Sequence, residues 1–448
     1  MNPSRTARRL LSVLVVFLAA TSAFGQGSLQ TLLTNGPLAR RINIVFLSEG
    51  YTTNQLPQFT TNARVILSNL LGTLPLREYS NYFNAFAISV PSNESGSDHP
   101  SRSIVRDTYF NSTYDSSGIA RLITINSTGL SRVNSLLATF MPQYDIVALI
   151  VNDTEYGGSG GFPLINSVNS ASPEIGIHEM GHSFAGLGDE YSSAYPGYPD
   201  TEEPNTTRET NRVLIKWNAW ILTNTPVPTP DVSSNFTKVG LFEGAHYHTT
   251  NWYRPKHDCK MRTLNVLFCE VCVQTLVTSI YTQVRPIETN SPPTNNLIIL
   301  TNSAVATLSV SNLLPSTHAL AVQWYTNNVV VAGATSTVFT VTGSALPQNT
   351  NTVRVEVRDT TAYVRTDPAM RLLDSRVWRI RSVETPRLAT TRAGGNVLIS
   401  WTTNAFGFHL ESQSSVGAAW ADVLSITTQS NLTVNPTNQQ TLFRLRQP

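Results

Sequence analysis

Apolar positions along this chain follow two different rhythms, separated by a short stretch with none. "RRINIVFLSEGYT", residues 40–52, carries an unbroken apolar run that leaves into a turn, the pattern of a buried strand. From Leu56 to Leu71, Phe59, Ala63, Ile66 and Leu70 recur at helical spacing and predict a helix. "YFNAFAISV" and "YDIVALIVND" are further short runs of strand type, and "GIARLITINSTGLSRVNSLLATF" between them is partly helical. Strands alternating with helices predict an α/β unit with helices packed on a sheet, covering residues 26–285.

The rhythm fails in "RPIETNSPPTNN", where Pro, Asn and Thr without periodicity read as a linker at 286–296. Beyond it, "ATLSVSNL", "LAVQWYTNNVVVAGA", "STVFTVTG" and "NTVRVEVRD" alternate apolar and polar residues at short intervals. That pattern predicts an immunoglobulin-like β-sandwich at 297–383. "NVLISWTT", "GFHLESQSS" and "TLFRLRQ" predict a small β-rich module at 384–448. The fold class expected is therefore multidomain, an α/β unit followed by two all-β modules. The β-modules carry no catalytic motif and read as spacers or binders.

The N-terminus stands apart. Arg5, Arg8 and Arg9 precede an apolar run from Leu10 to Ala20, and Ala23-Phe24-Gly25 satisfies the small-x-small rule before Gln26. The run is too short to span a bilayer comfortably, so residues 1–25 read as a cleaved export signal. A secreted, extracellular protein with no membrane insertion after cleavage is expected. A formal net charge of +2 without a long basic run gives no footprint for nucleic acid.

Chemistry concentrates in "HEMGHSFAGLGDEY", residues 178–191. Two histidines four positions apart lie on one face of a helix, so His178 and His182 can bind one metal ion. Glu179 is placed to accept a proton from water activated by that ion. Gly186 and Gly188 can end the helix and turn the chain back. The metzincin pattern would continue to a third histidine. Here Gly186-Leu187-Gly188-Asp189 offers Gly-x-x-carboxylate instead, and two His plus one acid is a known catalytic zinc set. Asp189 is the expected third ligand, with Glu190 as the alternative. Glu202 and Glu203 sit in a turn-rich stretch and are set aside.

Met261 in "CKMRTL" fits the methionine that metzincins place beneath the metal. Arg262 and Thr263 follow it where a tyrosine often stands, so transition-state or substrate contacts must come from elsewhere. Tyr247, His248, Tyr253 and Arg254 are the candidates. The glycine-rich stretch 157–161 reads equally as an edge for an extended peptide and as an ordinary loop. Of the three cysteines, Cys259, Cys269 and Cys272, an exported protein would bridge Cys259 to one of the other two and leave one thiol over. A thiolate zinc site with His257 as fourth ligand is the competing reading. The acidic stretches around Glu94 and Asp98 and from Asp189 to Glu203 lack EF-hand spacing, so calcium has no support and solvated loops are expected.

Taken in order, "NIVFLSEGYT", "NESGSD", "VNDTEYGG", "HEMGHSFAGLGDEY", "LFEGAHYHTTNWYRP", "CKMR" and "FCEVC" resemble the bacterial secreted zinc endopeptidases that include the immunoglobulin-A-cleaving metallopeptidases. The resemblance covers roughly residues 40–280. It implies a metzincin-like catalytic domain, one zinc ion on His178 and His182, Glu179 as general base, and a protein or peptide substrate. It does not imply immunoglobulin A as that substrate. The expected function is a secreted zinc endopeptidase. The alternatives are a binding or adhesion protein with a structural metal, and a metallo-amidase acting on something other than peptides.

Overall fold

The structure is a computed structural model that describes residues 27–402, 407–426, 429–435 and 440–446; the segment read as an export signal lies outside them. Its first unit is built on a six-stranded sheet. In chain order the strands are β1 (Ser28–Leu33), β2 (Ile42–Glu49), β3 (Phe83–Ser89), β4 (Ile146–Val151), β5 (Gly158–Ser159) and β6 (Leu164–Ser167). Their order across the sheet is β1-β3-β2-β4-β6-β5. The inner four run parallel, and the two edge strands are antiparallel to their neighbours.

Every residue of β2, β3, β4 and β6 is buried, which explains the apolar runs of β2, β3 and β4. Alternate side chains serve opposite faces. Ile44 and Phe46 join the core formed with helix α1 (Leu56–Gly72), while Val45 and Leu47 pack with Val133, Leu136 and Leu137 of helix α2 (Ser127–Phe140). Phe59, Ala63, Ile66 and Leu70 are the buried stripe of α1, as their spacing predicted. Asn126 caps α2, its side chain accepting from the Gly129 amide. Helix α3 (Ser172–Ala185) and helix α4 (Glu270–Gln283) lie on the α1 side of the sheet. A hairpin of β7 (Phe242–Ala245) and β8 (His248–Arg254) completes the unit. Among the described residues no helix is long and apolar enough to cross a membrane.

The segment read as a linker at 286–296 holds a strand in its first half. Ile287–Ser291 is a strand paired with Val305–Asn312, which in turn pairs with Val338–Thr342. A five-stranded sheet lies against these three strands, and both contribute to one core containing Ile287, Leu308, Val341, Trp324 and Trp378. A single buried apolar residue, Ile287, anchors that strand among polar ones, too weak a periodicity to read. Among the described residues, the last module has two three-stranded sheets around Ile399, Trp401, Phe408, Leu410 and Ile426.

The sandwich does not hang free. Asp359, almost wholly buried, accepts hydrogen bonds from the hydroxyls of Tyr79 (2.8 Å) and Tyr281 (2.7 Å). His318 bridges the same Asp359 to Glu78, with 2.8 Å on each side. A buried polar network of this kind docks the module against the first unit in one orientation, which a spacer would not need.

Candidate active site

Helix α3 carries Pro173 and Glu174 in its first turn, where a missing N–H and a negative charge are both favourable. It ends at Gly186, which stands at φ 63°, a left-handed conformation that suits glycine. The Gly186 amide bonds to the His182 carbonyl at 2.9 Å and the Leu187 amide to that of Gly181 at 3.1 Å. This reversal folds the 187–190 segment back along the helix and brings Asp189 to the histidines.

The donor atoms of His178, His182 and Asp189 form a nearly regular triangle. The two Nε2 atoms are 3.1 Å apart, and Asp189 Oδ1 lies 3.2 Å from one and 3.3 Å from the other. Bonds of ~2.05 Å in a tetrahedral zinc site imply edges of about 3.3 Å. The ring tautomers follow from the outer hydrogen bonds. His178 Nδ1 faces the Lys260 carbonyl at 2.9 Å and His182 Nδ1 that of Leu187 at 2.6 Å, so both donate there. Both Nε2 atoms therefore converge on Asp189 Oδ1, a buried oxygen whose polar neighbours are these two nitrogens. Three acceptors facing one another call for a cation, and the donor set fits zinc. In the metal-free protein a proton answers the same demand: burial opposes it, but the Asp189 carboxylate prevails and pushes His182 up to about 9. Burial works against Asp189 too, yet the two histidines hold its carboxyl well below the usual range.

Glu179 shares the cleft, a cavity of about 360 Å³. Burial raises its carboxyl, against the opposing pull of His178 and His182. A carboxylate raised in this way suits a group that must take up and release a proton. Two larger cavities, of about 410 and 560 Å³, lie elsewhere and hold none of these donors. Size alone would have misplaced the site.

Tyr247, expected as a contact for the substrate or transition state, lines the cleft and donates its hydroxyl to Asp189 Oδ2 at 2.7 Å. The other three candidates for substrate contact do not line the cleft. His248 turns its Nδ1 to the His246 carbonyl. Tyr253 is buried in the core. Arg254, also buried, donates to the carbonyls of Glu243, Gly244 and His257 and so holds β7 against β8. Glu190 is not the third ligand. Its carboxylate points away from the histidines, toward Cys272 Sγ at 3.6 Å and Asn205 Nδ2 at 2.8 Å. Met261 lies beneath α3, so close that a side chain at Gly181 would meet its sulfur at 2.7 Å. The Met261 carbonyl accepts from the Glu190 amide at 2.8 Å. The expected disulfide is not formed: Cys259, Cys269 and Cys272 are all free thiols, with Cys259 Sγ and Cys272 Sγ 3.6 Å apart. His257 is no part of that cluster; its Nδ1 meets Asp231 at 2.5 Å.

Tyr191, Tyr198 and Arg121 also line the cleft and escaped the sequence reading. Tyr191 stands two residues after Asp189, a signal that was in plain view. Burial lifts both tyrosines to about 12, so their hydroxyls remain proton donors at neutral pH. Glu203 makes its contact with His246 Nδ1 at 3.0 Å, and Glu202 with Lys216 at 2.9 Å, so neither approaches the triad. Glu94 and Asp98 accept from the backbone amides of Asp107 and Arg106.

No curated relative matches the sequence. Among solved structures, a chaperone–tip adhesin complex of CFA/I fimbriae aligns at 15% identity and a TM-score of 0.17, over 36% of this chain and 98% of that one. The class 5 fimbriae chaperone CfaA aligns at 14% and 0.16, over 36% and 100%. Likeness that low carries no argument. The family profile described as IgA Peptidase M64, in contrast, matches residues 31–239 and 231–280, more than half of the chain and every residue of the triad. The chain belongs to the IgA peptidase M64 family of metallopeptidases.

Proposed function

We propose that this chain is an exported, zinc-dependent endopeptidase. The observation that carries the reading is the triangle of His178, His182 and Asp189, spaced as edges of a tetrahedral zinc site and open on a cleft that also holds Glu179. Three protein donors leave a position for water or substrate, the arrangement of catalytic rather than structural zinc. When bound there, zinc supplies Lewis acidity toward a peptide carbonyl and activation of water at neutral pH.

The chain's own residues supply the rest. Glu179 takes the proton of the attacking water and passes it to the leaving amine. Tyr247 holds Asp189 through one carboxylate oxygen and leaves the other for the metal. The Lys260 and Leu187 carbonyls fix the imidazole orientations. Tyr191, Tyr198 and Arg121 offer donors to the substrate's carbonyl oxygens. Gly158 is bridged to Leu122 and Gly161 bonds the Ser183 hydroxyl through both its amide and its carbonyl, so pairing with an extended peptide is left to their exposed neighbours Gly160 and Phe162.

The test combines zinc content with cleavage of a panel of native and unfolded proteins by the chain from Gln26 onward. Cleavage that stops with chelator and returns with zinc is the expected result. A zinc-loaded protein that cleaves nothing in the panel but hydrolyses non-peptide amides would replace this reading with an amidase. Export is tested by N-terminal sequencing of the chain recovered outside its producing cell, with a start at Gln26 expected.

A further inference from the structure

Directly behind the triad lies a second group of metal-binding side chains that the peptidase chemistry leaves unused. The carboxylate of Glu190 and the sulfurs of Cys259, Cys269 and Cys272 offer four donor atoms, all within 4.8 Å of one another. All four residues are buried, none more than 3% exposed. We propose that these four residues form a structural metal site of zinc type, closed by the protein on all four sides, which clamps the Asp189–Glu190 loop to the Met261 turn and to the start of α4.

The distances support a cation better than a disulfide. With zinc–sulfur bonds of ~2.3 Å and zinc–oxygen bonds of ~2.0 Å, a tetrahedral site has edges of about 3.7 Å between sulfurs and about 3.5 Å from sulfur to oxygen. Cys259 Sγ to Cys272 Sγ is 3.6 Å, and Cys272 Sγ to Glu190 Oε1 is 3.6 Å. A disulfide needs ~2.05 Å between sulfurs. It would also join only two of the three sulfurs and leave the Glu190 carboxylate with no cation among its direct hydrogen-bond partners.

Glu190 points to a ligand independently. One of its oxygens, Oε2, is buried with no hydrogen-bond partner, and Oε1 has only Asn205 and the weak donor Cys272. Burying a carboxylate so poorly paired is costly unless a cation binds it. The surroundings are built for thiolates. Cys269 is the N-cap of α4 and Cys272 lies in its first turn, where the helix dipole favours negative charge. The Cys269 amide donates to Cys259 Sγ at 3.2 Å. Asn205 closes the far side, holding Gly188 by both its amide and its carbonyl. Three thiolates and one carboxylate make a closed set, and closed sets are structural.

The site's position gives it a task. Glu190 follows Asp189 directly, and Cys259 precedes the Lys260 carbonyl that orients His178 by one residue. A metal here fixes one triad donor and the orientation of another.

The decisive experiment counts metal and thiols on the intact chain, purified without reductant. Two zinc ions per chain and three unbridged cysteines are expected. A His178→Ala/His182→Ala variant should retain one zinc, and Cys269→Ser/Cys272→Ser should lose one. Cobalt replacement gives a readout that needs no variant: the triad contains no sulfur, so a sulfur-to-cobalt charge-transfer band in the near ultraviolet can come only from the cysteines. That band is expected in the wild-type chain and in the double-histidine variant, whether or not either cleaves a peptide. Its absence from cobalt-loaded wild type, or an intact mass two hydrogens light with two cysteines bridged, overturns the proposal.

Discussion

Asp189 and Glu190 are neighbours in sequence, yet their carboxylates serve opposite sides of the chain. Asp189 completes a triangle with two histidines at the floor of a cleft, whereas Glu190 faces three buried cysteines. The first cluster has three donors and opens on the cleft; the second has four buried donors. Donor number and access, rather than residue type alone, separate a site for chemistry from a site for stability. The pair also shows how one short segment can tie a reactive centre to a rigid anchor.

The largest effect should come from removing a triad donor. His182→Ala is expected to abolish cleavage and remove one zinc, while Glu190→Gln should leave the triad's zinc bound and lower the Tm. Metal counts and thermal melts on both variants check this. If Glu190→Gln instead emptied the triad, Glu190 rather than Asp189 would be its carboxylate ligand. Next in size is Met261→Ala, which hollows the packing under α3; a loss of about 2–5 kcal/mol in denaturant unfolding is expected, with far less change if the residue were mere filler near a surface.

Tyr247→Phe sharpens the comparison from the outer shell. It removes the donor to Asp189 Oδ2 and should weaken zinc binding at the triad roughly 10–100-fold, with the cysteine site unchanged. Competition with a metal-binding dye measures it. The pH dependence of the metal-free triad is the smallest effect. The His182 value in the folded chain, about 9, lies above the ordinary histidine range, so the stability from its pairing with Asp189 is fully present below the unfolded value. That stability is lost as pH rises through about 9, and over the same range the proton stops competing with zinc. Melts and zinc titrations of the stripped protein between neutral pH and pH 10 should therefore move in opposite directions.

Much of this was legible in the sequence because it is local. His178 and His182 need only helical spacing, and Gly186 announces the turn that delivers Asp189. The strands β2, β3 and β4 showed as apolar runs because both faces are covered. What could not be read depends on contacts between distant segments. Neighbouring residues on a non-helical stretch point to opposite sides, but which of Asp189 and Glu190 meets the histidines depends on where the Met261 turn lies. Tyr253 and Arg254 looked like substrate contacts by proximity to Tyr247, whereas β8 sends them inward. Cysteine count and expected compartment suggested a bridge; the fourth partner, Glu190, lies 69 positions before Cys259.

The central claim, that the triad cleaves peptides with Glu179 as its base, is tested most directly by Glu179→Gln. Glu179 is not a ligand, so the variant should keep the wild-type zinc count while the cleavage rate falls by roughly 10²–10⁴. A variant that keeps its zinc and cleaves as fast as wild type would contradict the account.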